Sequence, residues 1–328
     1  MSSIPFLHNR AIVSALRANI YTNKTSKLYS KAYQKFILYC EENGECVSSL
    51  SSIDHSLSSY IEHLFLSGES PSLASNTLFS IQYHIPQLKS RLYESKQTLR
   101  GWNKLSPKMS RPPLTKQLTT VIAVSMAKAG YHNAAIATLL AFDTYLRVGE
   151  LTSLKVCDVA SAYNFDLDTN VKMAIGLAKT KTGVQQSVVV EDRVVQQLLR
   201  AWVKGAYNHG VPLSAADSLF GLSTYQYRKL FRLACDSVGI GHIGFTPHSL
   251  RHGGATHDFM CDRSLESILL RGRWAVSKSA RTYIQSGRFL LIGVNVPHLQ
   301  TIGAKLINSN KLHKYLYKLR YIKPIDTC

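Results

Sequence analysis

The sequence predicts a mainly α (α+β) protein in two parts: an N-terminal helical bundle and a larger, mostly helical domain with one small β-sheet. Three observations carry this. Apolar residues recur at helical spacing over most of the 328 residues, with no strand–helix–strand alternation and no internal repeat. One stretch, KMAIGLAKTKTGVQQSVVVED, alternates at Met173, Ile175 and Leu177 instead. It reads as a β-hairpin around a lysine-bearing TKTG turn. A stretch rich in Pro and basic residues, GWNKLSPKMSRPPLTKQL, divides the chain near residue 110. The expected parts are a bundle over 1–107, an extended basic linker over 108–116, a second domain over 117–287 and a basic tail over 288–328.

In the first part, a helix is expected near residues 10–20. TSKLYSKAYQKFILYCEENG then places Leu28, Ala32, Tyr33, Phe36, Ile37 and Cys40 on one helical face. Thr25 or Ser26 can cap its start, and Gly44 can end it. Lys24, Lys27, Lys31 and Lys35, three and four residues apart, form a basic stripe opposite that face. IDHSLSSYIEHLFLSG repeats the design with Leu57, Tyr60, Ile61, Leu64 and Phe65, then Gly68. SPSLASNTLFSIQYHIP carries Pro near its first turn and stops before Pro86. These make a bundle of roughly four short helices.

The second part opens with LTTVIAVSMAKAGYHNAAIATLLAFDTYLRVGELTSL, an Ala- and Leu-rich run of buried helix that breaks near Gly130. After the hairpin, DRVVQQLLRAWVKGAY and TYQYRKLFRLACDSVG are helical again. In the tail, Leu299, Ile302, Leu306 and Ile307 keep a helical spacing, whereas KLHKYLYKLRYIK is basic. That tail is either a helix that docks on a neighbouring protomer or a disordered basic arm.

Composition narrows the function classes. With 45% hydrophobic and 18% charged residues the chain can bury a core and is not compositionally disordered. A net charge of +19 points to a polyanion, nucleic acid first and an anionic membrane surface second. The excess is spread out: residues 1–116 hold 14 basic and 7 acidic side chains, and 288–328 hold 7 and 1. Cys40, Cys46, Cys157, Cys235, Cys261 and Cys328 form no C-x-x-C pair and no zinc-type spacing, so they read as reduced thiols. No segment has the length of a membrane span or the pattern of a signal peptide, so an intracellular protein is expected.

Four pieces could carry chemistry. In FTPHSLRHGGATHDF, Thr246 is a good N-cap and Pro247 fits the first helical position. His248, Arg251 and His252 then share one face near a positive helix end, a geometry that suits an anion. In TYLRVGELTSL, Arg147 follows an apolar helix and needs a partner, either Glu150 three residues on, a phosphate, or both. In LLRGRWAVSKSARTYIQ, Ser277 can cap a helix carrying Arg281 and Tyr283, with Trp274 nine residues before the tyrosine. The hairpin turn supplies Lys179 and Lys181. Each piece alone reads as ordinary structure: a solvated helix start, a local ion pair, a core tyrosine, solvated turn lysines.

Their order does not. R-x-x-E, a lysine hairpin, H-x-x-R-H, G-x-W and a tyrosine nine residues on resemble the tyrosine recombinases, the phage-integrase-like and Cre-like DNA recombinases. HSLRHGGAT, GRW and YI are closest in wording to recombinases of eukaryotic mobile elements, DIRS-like and crypton-like. The resemblance implies a SAM-like core-binding fold for 1–107 and a catalytic domain over 117–287, closing as a clamp on double-stranded DNA. It implies Arg147, Lys181, His248, Arg251, Trp274 and Tyr283 as catalytic residues, with Lys179 the alternative to Lys181. Glu150 and His252 would support them. Lys24, Lys27, Lys31, Lys35, Lys108 and Arg111 would meet DNA phosphate. Tyr283 would attack a phosphodiester, two arginines would hold its oxygens, and no cofactor or metal would be needed. A homo-tetramer on paired sites, and a nucleus if the element is eukaryotic, are further implications. A monomeric type IB topoisomerase-like enzyme and a silent domesticated DNA-binding protein are the alternatives. Gly253 and Gly254 follow the motif and weaken a helix interior, unless they allow close backbone packing.

Overall fold

Thr22 begins the first helix described, its hydroxyl accepting from the backbone N–H of Thr25. In the computed structural model, residues 21–107, 110–160, 173–180, 183–204, 213–308 and 312 are described. The helix expected near 10–20 lies outside them, as does Lys108. The chain separates into two compact units, Met1–Met109 and Ser110–Cys328.

Unit one is built on α1 (Asn23–Asn43), α2 (Leu50–Leu66), α3 (Pro71–His84) and α4 (Tyr93–Leu105). Helix α1 starts at Thr22 rather than at Thr25 or Ser26 and ends at Gly44, which takes the left-handed conformation (φ 65°) that favours glycine. Ala32, Phe36 and Cys40 are buried, whereas Leu28 is largely exposed, so the apolar face is narrower than its spacing predicts. Leu57, Tyr60, Ile61 and Leu64 of α2 join Leu78, Ile81, Leu88 and Trp102 in one core, and Phe65 lies at its edge. Helix α4 is mostly polar, with Leu99 and Trp102, three residues apart, turned to the core. It is also held by another element: the buried Asp54 carboxylate accepts from the backbone N–H of Glu94 (3.0 Å) and Ser95 (3.1 Å), capping α4 from α2.

Unit two packs α5 (Lys116–Lys128) against α6 (His132–Thr144), with the break at Gly130 (φ 86°) where the sequence places it. Then come α7 (Val148–Ser153), β1 (Val159–Ala160), β2 (Met173–Thr180), β3 (Gly183–Val190), α8 (Arg193–Val203) and α9 (Thr224–Ser237). The strands form an antiparallel sheet in the order β1-β2-β3, with Ile175 opposite Val188 and Thr180 opposite Gly183. This is the expected hairpin, joined by a short third strand. Lys181, at its turn, lies outside the described residues. Lys179 is on β2.

After α9 come α10 (Pro247–Met260), α11 (Leu265–Gly272), α12 (Ser277–Tyr283), α13 (Ser286–Asn295) and α14 (Pro297–Asn308). Helix α14 lies on α5 of the same chain, where Gln300 and Thr115 exchange hydrogen bonds of 2.9 and 3.0 Å. So 297–308, expected within a separate tail, is part of unit two. The expected linker is also shorter than 108–116: Pro112, Pro113, Leu114 and Thr115 are buried, and Lys116 opens α5. Among the described residues no single helix is long and apolar enough to cross a membrane.

Gly253 and Gly254 answer the question their sequence raises. A Cβ on Gly253 would lie 2.0 Å from the Leu114 carbonyl oxygen, and one on Gly254 would lie 2.1 Å from that of Phe142 and 2.7 Å from the Tyr145 ring. Helix α10 therefore seats directly on two backbone segments. Gly253→Ala would gain about 1 kcal/mol of helix propensity. Overpacking against backbone costs about 1–3 kcal/mol or more, so the clash wins. Gly101 of α4 meets nothing within 4 Å, and Gly101→Ala is expected to stabilise by about 0.5–1 kcal/mol. Chemical denaturation of both variants checks the opposite signs.

Candidate active site

Four segments meet around the start of α10. The first is the exit from α6. Tyr145 takes a left-handed conformation (φ 51°), its ring buried and its hydroxyl donating to Asp258. The turn brings Arg147 to the edge of α7. There Arg147 Nη1 pairs with Glu150 Oε1 at 2.7 Å, and the Arg147 backbone N–H donates to Oε2 at 2.9 Å. A carboxylate in the first turn of a helix suits the backbone donors there. Burial alone would raise the Glu150 pKa, but the Arg147 N–H and the charges of Arg273 and Arg147 hold it below its ordinary value.

The second segment is α10 itself. Pro247 is its first residue, and the Thr246 N–H donates to the Ser249 hydroxyl at 3.1 Å. Arg251 is wholly buried (0% exposed). Its Nη1 donates to the Tyr145 carbonyl and its Nη2 to the Gly272 carbonyl at 2.7 Å. Burial, then the charge of Arg147, pulls its pKa down to about 10, so it stays charged at neutral pH. Its guanidinium carbon sits 4.5 Å from the centre of the Trp274 ring and 5.1 Å from that of Tyr283.

The third and fourth segments are the α11–α12 turn and α12. Gly272 leaves room for the indole of Trp274, which a Cβ there would meet at 1.8 Å. Tyr283 ends α12. Its ring centre is 4.6 Å from that of His252, 4.9 Å from Trp274 and 5.4 Å from His248. His252 is buried, with Nδ1 2.9 Å from the Gln285 amide nitrogen and 3.3 Å from the Tyr283 carbonyl oxygen. Arg147, Glu150, His248, Arg251, His252, Trp274 and Tyr283 thus come together. Lys181 is outside the described residues, and the side chain of Lys179 is not described. Lys24, Lys27, Lys31 and Lys35 are exposed on α1 of unit one. Arg111 is exposed in unit two, beside the Ser110 and Arg111 backbone oxygens that accept from Arg288 (2.7 Å) and Gln285 (3.4 Å). Among the described residues no group of three or more His, Cys, Asp or Glu could hold a metal ion.

Both histidines are held neutral near pH 7. His248 reaches solvent, yet its packed surroundings and then the charges of Arg251, Arg147 and Arg111 lower its pKa. His252 is pushed down to about 4, by burial first and by His248 next. Between its unfolded pKa of ~6.5 and about 4, the unfolded chain binds a proton that the folded chain does not. Stability is therefore lost as pH falls through that window. Asp143, raised to about 6 by burial, works in the opposite sense. His252 is expected to cost about 2 kcal/mol at pH 5 relative to pH 7. Melting curves of the wild type and His252→Gln from pH 7.5 to 5 check this; equal slopes would refute a buried neutral imidazole.

Residues not singled out from sequence also contribute. Tyr145 and Gly272 supply the carbonyls that hold Arg251, and Gln285 reaches His252. Arg273, inside the GRW stretch, pairs with Glu150 Oε2 through Nη2 at 2.6 Å, both side chains 5% exposed. Position beside Trp274 was its only sequence signal.

A family model described as the phage integrase family matches residues 114–286. No curated protein matches the chain. Solved structures share its fold. XerH site-specific recombinase bound to palindromic difH substrate, a post-cleavage complex, is 18% identical, covers 77% of this chain and 75% of its own, and has a TM-score of 0.58. A lambda integrase dimer bound to a COC' core site is 15% identical, with 83% and 92% covered and a TM-score of 0.56. The Tn1549 transposon integrase in complex with transposon right end DNA is 13% identical, with 83% and 99% covered and a TM-score of 0.55.

Proposed function

Because this chain belongs to the phage integrase family, the tyrosine recombinases, we propose that Tyr283 is the nucleophile of a site-specific recombinase that breaks and rejoins double-stranded DNA. The observation that carries this reading is the convergence of Tyr283 with Arg251, His248, His252 and Trp274 around one buried guanidinium. In the reaction the Tyr283 hydroxyl oxygen bonds to the scissile phosphorus and the bond from phosphorus to the 5′ oxygen breaks. A neutral His248 accepts the phenol proton, and Lys181, or Lys179, supplies one to the leaving oxygen. Arg147, Arg251 and the Trp274 indole N–H balance charge on the non-bridging oxygens. The 3′-phosphotyrosine keeps the bond energy, so a second 5′-hydroxyl reverses the step without ATP or metal.

The finer readings rest on other features. Leu290, Leu291 and Val294 leave an exposed apolar stripe on α13, three residues beyond the nucleophile, which supports assembly into a tetramer on paired sites. The exposed lysines of α1 and Arg111 support contacts to duplex phosphate; Lys108, outside the described residues, is proposed to join them on its sequence position alone. The wording of HSLRHGGAT and GRW supports a recombinase of a eukaryotic mobile element, and with it a nuclear site of action. One observation favours a second reading, a DNA-binding member that does not cleave: both terminal nitrogens of Arg251 are already taken by carbonyls.

A nicked suicide substrate separates the two. Protein incubated with it is expected to yield a complex that survives a denaturing gel, with DNA mapped to the peptide holding Tyr283. Binding to DNA without such a complex on any substrate would leave only the second reading.

A further inference from the structure

Arg273 has an arrangement that its fold alone does not require. It follows α11 in the left-handed conformation, φ 55°, which glycine adopts freely and other residues seldom do. Its side chain is 5% exposed. One nitrogen, Nη2, pairs with Glu150 Oε2. Its Nε and Nη1 are buried and have no hydrogen-bond partner among the described residues. Buried donors in folded proteins are nearly always paired, and charged ones above all. The same deficit recurs beside it: Arg251 Nε and Trp274 Nε1 are buried without partners too.

Charge points the same way. The charges of Arg147 and Arg273 press on Arg251, and Glu150 is the carboxylate that pairs with Arg147 and Arg273. Three guanidinium groups against one carboxylate leave the cluster two charges positive. Burial first, and then Arg147, lowers the Arg273 pKa, although Glu150 opposes the shift. An anion entering the cluster would satisfy the donors and the charge together. Arg251 adds little free capacity at its fork, since Nη1 and Nη2 are held by carbonyls. Arg273 has a nitrogen of its fork unpaired.

Resting on the recombinase reading above, we propose that Arg273 is a third arginine of the site, binding the non-bridging oxygens of the scissile phosphate beside Arg147 and Arg251. Glu150 holds Arg147 and Arg273 on its two oxygens and so sets the spacing of their forks. The backbone at residue 273 is left-handed and its guanidinium is buried against Glu150.

Two variants and two substrates test this. Arg273→Gly relaxes the backbone but removes a buried partner of Glu150 and its volume, so its melting temperature is expected to fall modestly, and cleavage is compared well below it. Its strand cleavage at saturating protein is expected to fall about 10²-fold, with DNA affinity nearly unchanged. Arg273→Lys, which keeps the charge and loses the fork, is expected to lose less. On DNA carrying an uncharged methylphosphonate at the scissile position, the oxygen charge that Arg273 serves is gone. The Arg273→Gly penalty is then expected to shrink to within about 3-fold, whereas a purely structural role would lower both substrates alike. Wild-type cleavage rates for Arg273→Gly, an equal penalty on both substrates, or relief only at a flanking phosphate would each overturn the assignment while leaving the parent reading intact. Wild-type protein that forms no Tyr283-linked complex would overturn both.

Discussion

Tyr283→Phe is expected to abolish the covalent complex while leaving the fold and the affinity for DNA nearly as they are. The ring, not the hydroxyl, makes the contacts that place this residue. His252 stacks on it at 4.6 Å, Trp274 lies at 4.9 Å, and the Arg251 guanidinium lies 5.1 Å from its centre. Among the described residues, the hydrogen bonds involving Tyr283 outside its helix use its backbone carbonyl, which faces His252 and accepts from the Thr256 hydroxyl at 3.2 Å. Phenylalanine keeps all of these, so stability is expected to change by no more than about 0.5 kcal/mol. The chemistry has no such reserve, because no other atom can form the phosphotyrosine bond. A suicide-substrate gel and a melting curve on the same preparation read the two effects separately. A complex that persists in Tyr283→Phe would move the nucleophile elsewhere, and lost complex with a collapsed melting temperature would assign the residue to structure instead.

Arg251→Ala is expected to damage both the fold and the reaction. The guanidinium ties the end of α6 to the end of α11 through the Tyr145 and Gly272 carbonyls. Alanine leaves two buried acceptors unpaired, at about 1–3 kcal/mol each, and empties the space of a large side chain. Removing a buried cation that Arg147 and Arg273 repel offsets part of this. The acceptors and the cavity outweigh that relief, for a net loss of about 2–4 kcal/mol. Cleavage is expected to fall by at least about 10³-fold, the scale of losing an arginine from a phosphoryl-transfer site. Denaturant melts and single-turnover cleavage check the two parts. Arg251→Ala that melts with the wild type would rule out the anchoring described here, and one that cleaves at the wild-type rate would remove Arg251 from the chemistry.

Much of the fold was legible because its signals are local. The helical spacing of α1 and α2, the prolines that bound α3, the break at Gly130, the hairpin alternation from Met173 and the Thr246–Pro247 helix start each sit within a few residues of what they specify. Helix α4 was not legible from its own residues. Its sequence YESKQTLRGWNKL is mostly polar, and its start is capped by Asp54, about 40 residues earlier. The linker was overextended for a related reason. Pro112 and Pro113 read as solvent-facing punctuation, and only the seat of Leu114 against Gly253 shows that segment to be buried.

The site divides along the same line. The residue types and their order marked out the groups that come together: Arg147 with Glu150, His248 with Arg251 and His252, Trp274 nine residues before Tyr283. Tertiary structure alone decided how they are buried and paired. It buried Arg251 completely, clamped it between two carbonyls, and set Arg273 on the Glu150 oxygen that also accepts the Arg147 backbone N–H. Gly253 and Gly254, puzzling within a helix, proved to be the condition for that approach. The reason is physical: spacing along the chain encodes which side chains share a face, whereas burial and pairing depend on segments as far apart as Leu114, Tyr145, Gly254 and Gly272. Those segments meet only when the chain has folded.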